Sequence, residues 1–184
     1  MRDRILQAAE EMVQQRGLNG VSFAQLAKAV GLSKPSVFHH FPNKEALAKA
    51  LVQLCQDKYG AEYGGIIDSD ATAPEKLQRI ADSFEHGLRV DRLCLLGMIG
   101  QGLGDLSSEV QDDLRLSATR SIDRFSQVFE QGRRDGSLSY EGTSEAAGAA
   151  FLAMLEGLQV LARSKRDPDM FTQAAKGYIN SLIA

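Results

Sequence analysis

The stretch Ser22-Phe-Ala-Gln-Leu-Ala-Lys-Ala-Val-Gly-Leu-Ser-Lys-Pro-Ser-Val-Phe-His-His-Phe-Pro-Asn-Lys-Glu-Ala-Leu47 decides how this chain is read. Ser22 stands where a helix wants an N-cap, and Phe23, Leu26, Ala27 and Val30 share one helical face behind it. Gly31 follows, the residue that tolerates the left-handed conformation of a helix C-terminus. Ser33 is a second N-cap, with Pro35 in the first turn, where a missing N–H costs little. Val37 and Phe41, four apart, continue the apolar face. Two short helices joined by a tight glycine turn make a helix-turn-helix, whose second helix can enter a DNA major groove.

Working outward, Arg2–Arg16 reads as a helix with Ile5, Leu6, Ala9, Met12 and Val13 on one stripe and Gly17 as its stop. Leu18 and Val21 are expected to tuck into the core from a short connection. Asn43 caps a fourth helix that buries Leu47, Leu51, Leu54 and Cys55 and runs toward Tyr59. The result is a head of about sixty residues, near the lower limit for independent folding. Gly60, Gly64, Gly65 and Asp68–Asp70 read as a loop and a boundary between a helix-turn-helix head over 1–59 and a body over 60–184.

Beyond the boundary the periodicity predicts a helix from Pro74 to about Arg89, a weak Gly-interrupted helix over Leu93–Leu103, and a long helix from Ser107 or Ser108 to Arg134. Thr143–Ser164 is Ala-rich and apolar almost all round, and such a helix needs cover on every side. Pro168–Ile183 carries one strong stripe: Phe171, Ala174, Ala175, Tyr178, Ile179, Leu182 and Ile183. The expected fold is all-α. The last two helices are expected to pair with those of a second copy as a four-helix bundle, the alternative being core helices of a monomer.

The net charge of −3 hides an asymmetry. Residues 1–59 hold eight basic against five acidic side chains, residues 60–184 thirteen against nineteen. The mild positive balance lies on the head, where phosphate would be met. The two cysteines, Cys55 and Cys94, read as reduced thiols, because nothing suggests secretion. The start of the chain lacks a signal-peptide apolar stretch, and the apolar run Ala146–Leu155 is too short to span a bilayer. The expected location is cytoplasmic, with no membrane partner.

The segment Gly31–Leu47 resembles, almost position by position, the recognition helix and the start of the fourth helix of the TetR family of transcriptional regulators. The resemblance implies an Ω-shaped, all-α homodimer with a helix-turn-helix head and a helical body. It implies a repressor released from a palindromic operator by a small molecule. Cys94-Leu-Leu-Gly97 resembles a subgroup that starts its sixth helix in this way and often has an acidic residue near position 102, where this chain has Gly102.

Candidate DNA contacts follow from residue type and place. Lys34 can reach a guanine edge or a phosphate, Ser36 can hydrogen-bond either, and Val37 and His39 lie on or near the groove-facing part of the helix, with Val37 expected to pack partly inward. His40 matches a family position that touches phosphate. Lys44 and Ser22 stand at helix N-termini, where N–H groups and the dipole already favour an anion. Phe38 stands where the family commonly has Tyr, so a phenolic contact is missing, while the ring can still pack on sugar or a thymine methyl.

A small apolar or aromatic effector is expected among Phe84, Leu88, Cys94, Leu95, Met98, Gln101, Phe125, Phe129, Phe151, Met154 and Glu156. Cys94 reads either as a sensor thiol or as a small buried residue, and Glu156 either as a ligand contact or as part of the dimer seam. The glycines at 97, 100, 102 and 104 suit close packing or a helix weak enough to shift on ligand binding, at about 1 kcal/mol each relative to Ala. No zinc spacing, nucleophile elbow or phosphate loop is present, so neither an enzyme nor a metal or cofactor is expected. A helical carrier would explain the apolar body but not the Ser22–Leu47 pattern.

Overall fold

The structure, a computed structural model, describes residues 1–184. Its helices are α1 (Arg2–Arg16), α2 (Phe23–Val30), α3 (Lys34–His40), α4 (Lys44–Ile67), α5 (Ala73–Arg89), α6 (Leu95–Gly100), α7 (Ser108–Asp135), α8 (Ser144–Lys165) and α9 (Pro168–Leu182). A 3-10 turn covers Leu103–Asp105, and the one extended pairing is an isolated bridge between Leu138 and Ile183. The all-α expectation holds. Packing divides the chain into two units, Met1–Lys58 with Cys94–Ser117, and Tyr59–Leu93 with Ala118–Ala184. The body expected as one continuous stretch is thus interrupted, since α6, the 3-10 turn and the start of α7 pack with the N-terminal helices.

In the first unit, Ile5, Ala9, Val13, Leu18, Val21, Leu26, Val37, Phe41, Leu47 and Leu51 form the core. Two buried polar groups were not anticipated. Glu10 and Gln14 replace Met12 on the inner side of α1, and the Lys58 ammonium donates to Glu10 Oε1 at 2.7 Å. A buried carboxylate needs such a partner, because desolvation without one costs several kcal/mol. The expected weak helix over Leu93–Leu103 is shorter, ending at Gly100. Three glycines within five residues, Gly100, Gly102 and Gly104, give the backbone little reason to continue.

One boundary is corrected outright. The glycines after Tyr59 do not end α4, which continues to Ile67. A Cβ on Gly60 would stand 3.0 Å from Arg124 Nη2, so a guanidinium lies directly on this turn of α4. Tyr63 then stacks on Phe84 (6.2 Å between centroids) and meets Phe125 edge-on at 5.4 Å. These contacts offset the roughly 1 kcal/mol that each helical glycine costs.

The second unit is built around α5, α7, α8 and α9. Leu77, Ile80, Phe84, Phe125, Phe129, Phe151, Leu155, Phe171 and Ile179 are buried there. Lys76 is buried as well: its ammonium donates to the Ile67 carbonyl at 2.6 Å and to Gln131 Oε1 at 2.7 Å, and Gln131 Nε2 donates to the Ala71 carbonyl at 3.3 Å. A cation at the C-terminal carbonyls of α4 is on the favoured end of the helix dipole.

The close approach of α7 and α8 depends on Gly148. A Cβ there would lie 2.6 Å from Ser126 Oγ and 2.8 Å from the Ser126 backbone nitrogen. Gly148→Ala gains about 1 kcal/mol of helix propensity. It meets a backbone that cannot swing aside, at about 1–3 kcal/mol for overpacking. A net loss of about 1 kcal/mol or more is expected in urea titration, and a stabilised variant would show that the two helices do not touch there.

Within the single protomer, α8 is buried on one side only. Gly148, Phe151, Leu152, Leu155, Gln159 and Ala162 face inward. Ala146, Ala150, Ala153, Gly157, Val160 and Leu161 face outward, the last two 48% and 56% exposed. On α9, Ala174, Gly177 and Ser181 form a matching exposed line. By length and composition alone α8 is long and apolar enough to cross a membrane, against the reading of its apolar run as too short.

Candidate nucleic-acid interface

The helix-turn-helix is built as its caps dictate. Ser22 Oγ accepts the Gln25 N–H at 3.2 Å and the Gln25 side chain accepts the Ser22 N–H at 3.2 Å, a reciprocal box that pins the start of α2. Gly31 sits at φ 69° and ψ 33°, the left-handed C-cap. Ser33 Oγ accepts the Ser36 N–H at 3.3 Å and starts α3. Asn43 Oδ1 accepts the Ala46 N–H at 2.8 Å and starts α4. Gln25 was the cap partner missed in the sequence, although Ser-x-x-Gln is a recognisable capping pattern.

An open groove of about 450 Å³ runs along Asn19–Ala24, Lys34, Phe38 and Pro42–Lys44. Apolar Val21, Phe23, Phe38 and Pro42 line it together with Lys34 and Lys44. The N-termini of α2 and α4 open into it, bringing backbone N–H groups and positive dipole ends to one place. Phe38 is 40% exposed, its ring edge-on to Phe23 at 4.7 Å with the Lys34 ammonium 5.6 Å from its centroid. The platform is therefore cationic and aromatic at once, suited to a sugar–phosphate strand with a base edge beside it.

The structure brings seven of the eight proposed DNA contacts to the outer surface of this element. Lys34, Phe38, His39 and Lys44 are exposed, and Ser36 and His40 are partly so. The two imidazoles lie 5.5 Å apart, edge to face. Ser22 is exposed, but its hydroxyl is engaged with Gln25 at 3.1 Å, so what it offers an anion is the helix start rather than a free OH. Val37, expected to pack partly inward, is fully buried, so its place among the DNA contacts is corrected: it has no surface to give to a base. Its place on the recognition helix is one of packing.

The residues proposed for an effector fall into two groups. Cys94, Leu95, Met98 and Gln101 belong to the first unit, the rest to the second. Cys94 is half-buried at the N-cap of α6, and neither cysteine forms a disulfide. Leu95 and Met98 are core, and Gln101 is exposed with its amide on Met98 Sδ at 3.4 Å. In the second unit, Phe125 and Phe129 meet Phe151 edge-on at 5.8 and 5.9 Å, and all three are fully buried, so their ring surface is spent on one another. Phe84 and Leu88 are buried, while Met154 and Glu156 are half-buried on α8. Glu156 is not without a partner. The sequence reading missed Tyr63 and placed Tyr178 only on a stripe, although both extend the cluster; Tyr178 stacks on Phe151 at 6.3 Å, and burial pushes its phenol pKa up.

Residues 5–51 match the sequence profile of bacterial regulatory proteins of the tetR family. The transcriptional regulator AcuR of Cereibacter sphaeroides is 28% identical over 176 residues, covering 90% of this chain and 77% of that one. The transcriptional repressor NemR of Escherichia coli is 23% identical over 189 residues, covering 100% and 94%. Among solved structures, a TetR-family transcriptional regulator from Agrobacterium tumefaciens superposes with a TM-score of 0.93 at 24% identity, covering 100% of this chain and 97% of that one.

Proposed function

We propose that the chain is a member of the tetR family of bacterial regulatory proteins, whose profile its residues 5–51 match, and that it is a dimeric transcriptional repressor that leaves a palindromic operator when a small apolar or aromatic effector binds. Residues 1–59 act as the DNA-binding domain, and ligand binding and dimerisation fall to residues 60–184 outside the Cys94–Ser117 segment, which packs with the N-terminal helices. The observation that carries the reading is the groove between the starts of α2 and α4, where Lys34, Phe38 and Lys44 stand exposed around two helix N-termini.

Each head lays α3 in a major groove. Lys44 and the N-terminus of α4 meet one phosphate, Lys34 a second phosphate or a guanine, and Phe38 packs on sugar or a thymine methyl. His39 and His40 flank them. Two heads related by a two-fold axis read half-sites about 34–36 Å or a multiple apart. The exposed small-residue lines of α8 and α9 seat a second copy, which supplies the cover that α8 lacks and leaves no need for a membrane; the protein is then cytoplasmic.

The effector enters at the half-buried edge of the aromatic cluster, by Tyr63, Met154 and Tyr178, rather than among Phe125, Phe129 and Phe151. The resemblance of Cys94-Leu-Leu-Gly97 to the subgroup with that start to the sixth helix supports membership of it, with Gly102 in place of its acidic contact.

The test is salt dependence. Binding of the full chain to its own upstream DNA should weaken steeply with KCl, with log K falling by about 0.9 per log unit of salt for each phosphate contact. Lys44→Ala removes one contact from each of two heads, so the slope should fall by nearly two. A wild-type complex indifferent to salt, or a Lys44→Ala slope equal to the wild type, would end this assignment.

A further inference from the structure

Lys44 does not hang free at the start of α4. Its ammonium donates to the backbone carbonyl of Asn19 at 3.2 Å. The Asn19 side chain is itself held: its Nδ2 donates to Asp105 Oδ2 at 2.8 Å, across 86 residues of sequence. Asp105 closes the 3-10 turn Leu103–Asp105, and that turn is tied in its own right. The Asp105 N–H donates to the Gly102 carbonyl at 3.1 Å, and the Gln111 side chain on α7 donates to the Leu103 and Leu106 carbonyls at 3.2 and 2.8 Å. One residue in the α1–α2 connection therefore bridges the turn after α6 to the lysine at the proposed DNA surface. All of these groups belong to the first packing unit.

We propose that Asn19 is a positioning residue, through which the Leu103–Asp105 turn sets where the Lys44 ammonium is held for a DNA phosphate. A lysine has four rotatable side-chain bonds and loses their freedom when it docks. A carbonyl acceptor fixed in place orders the side chain beforehand. It uses one of three N–H donors and leaves two for phosphate oxygens. The acceptor is neutral, so the full positive charge stays available; a carboxylate in the same place would compete with the DNA. The Asp105 charge is kept one residue back, acting on the asparagine amide rather than on the lysine.

The inference rests on the DNA-binding reading above, and the experiment separates the two. Full-length protein is titrated onto a 30-base-pair mixed-sequence duplex by fluorescence anisotropy at several KCl concentrations. The variants are Asn19→Ala, Asp105→Ala, Asp105→Asn and Lys44→Ala, with the two pairwise combinations of Lys44→Ala with Asn19→Ala and Asp105→Ala. Asn19→Ala should weaken binding by about two- to tenfold, the equivalent of ordering one long side chain anew. Asp105→Ala should weaken it too, although removing an exposed carboxylate near DNA would on charge alone tighten it. Asp105→Asn keeps an acceptor for the Asn19 amide and should bind as well as the wild type or better. In the Lys44→Ala background both alanine effects should vanish.

Tighter binding by Asp105→Ala, or effects that persist undiminished without Lys44, overturns the inference while leaving the DNA reading intact. A wild-type chain with no salt-dependent binding overturns both. Should Asn19→Ala disturb the loop, as read by circular dichroism, Asp105→Ala breaks the same bond from a turn whose own hydrogen bonds remain, and Asp105→Asn is the variant that keeps it.

Discussion

Ala153→Glu is expected to turn a dimer into monomers and to weaken operator binding by more than about a hundredfold. Ala153 lies mid-helix on the exposed side of α8, in line with Ala146, Ala150, Gly157 and Val160. These residues are spaced four and three apart, the seam a second helix packs against. Glu is a good helix former, so the isolated protomer should keep its fold at a cost of only a few tenths of a kcal/mol. Across a two-fold axis, however, the substitution puts two carboxylates into one small-residue seam without partners, and burying such charge costs several kcal/mol. Loss of the dimer removes the linkage between two heads, and linkage of this kind is worth about 10²–10⁴ in avidity. Sedimentation equilibrium and anisotropy on the same sample would read both effects. A Glu variant that remains dimeric at micromolar concentration would move the dimer interface away from α8.

Phe151→Ala should destabilise the second packing unit by about 3–5 kcal/mol, the usual cost of removing a buried phenylalanine. Its ring meets Phe125 and Phe129 edge-on and stacks on Tyr178, so the truncation strips contacts from three neighbours as well as leaving a cavity. For a chain of this size each kcal/mol moves the melting midpoint by about 2–4 °C, so a fall of about 6–20 °C is expected. Calorimetry would check it. A midpoint within a degree or two of the wild type would mean that the cluster is not the packed core described above. The same experiment bears on the effector: an aromatic compound that restores the midpoint of Phe151→Ala would be filling the cavity rather than the natural site.

Much of this was legible because it is local. Ser22, Gly31, Ser33 and Asn43 act within three or four residues of themselves, and each performs the cap its residue type suggested. The outward side chains of α3 were legible for the same reason, Lys34 and His39 standing exposed on a short helix. What was not legible depends on residues far away in sequence. Gly60 is tolerated inside α4 because Arg124 lies on it. Val37 is buried completely rather than in part because the core of the first unit closes over it. Glu10 is buried because Lys58 reaches it from α4. The division of the chain was obscured because contiguity in sequence is not contiguity in packing: α6 joins the N-terminal helices from nearly forty residues beyond α4's departure from that unit.

The effector residues show the other limit. A stripe of Phe and Met is written identically whether it closes on itself or opens around a guest, and only contact distances separate the two. Here three of the rings close on one another. The half-buried tyrosines beside them carried no such signal, because Tyr63 lies in the stretch that reads as a boundary and Tyr178 is one member of a stripe that reads as core.

Lys76 gives the protein a built-in chemical clock. Its amine is enclosed by the Ile67 carbonyl and Gln131, with Gln131 also bound to the Ala71 carbonyl, while the chain's other lysines, Lys28, Lys34, Lys44, Lys49, Lys58, Lys165 and Lys176, are exposed. An acylating reagent reaches an amine only when it is uncovered, so the seven should be labelled promptly and Lys76 only when the corner between α4, α5 and α7 comes apart. The ratio of those rates, followed by mass spectrometry, reads the free energy of opening that one corner, and any compound that tightens or loosens it should change the ratio without needing a DNA fragment in the tube.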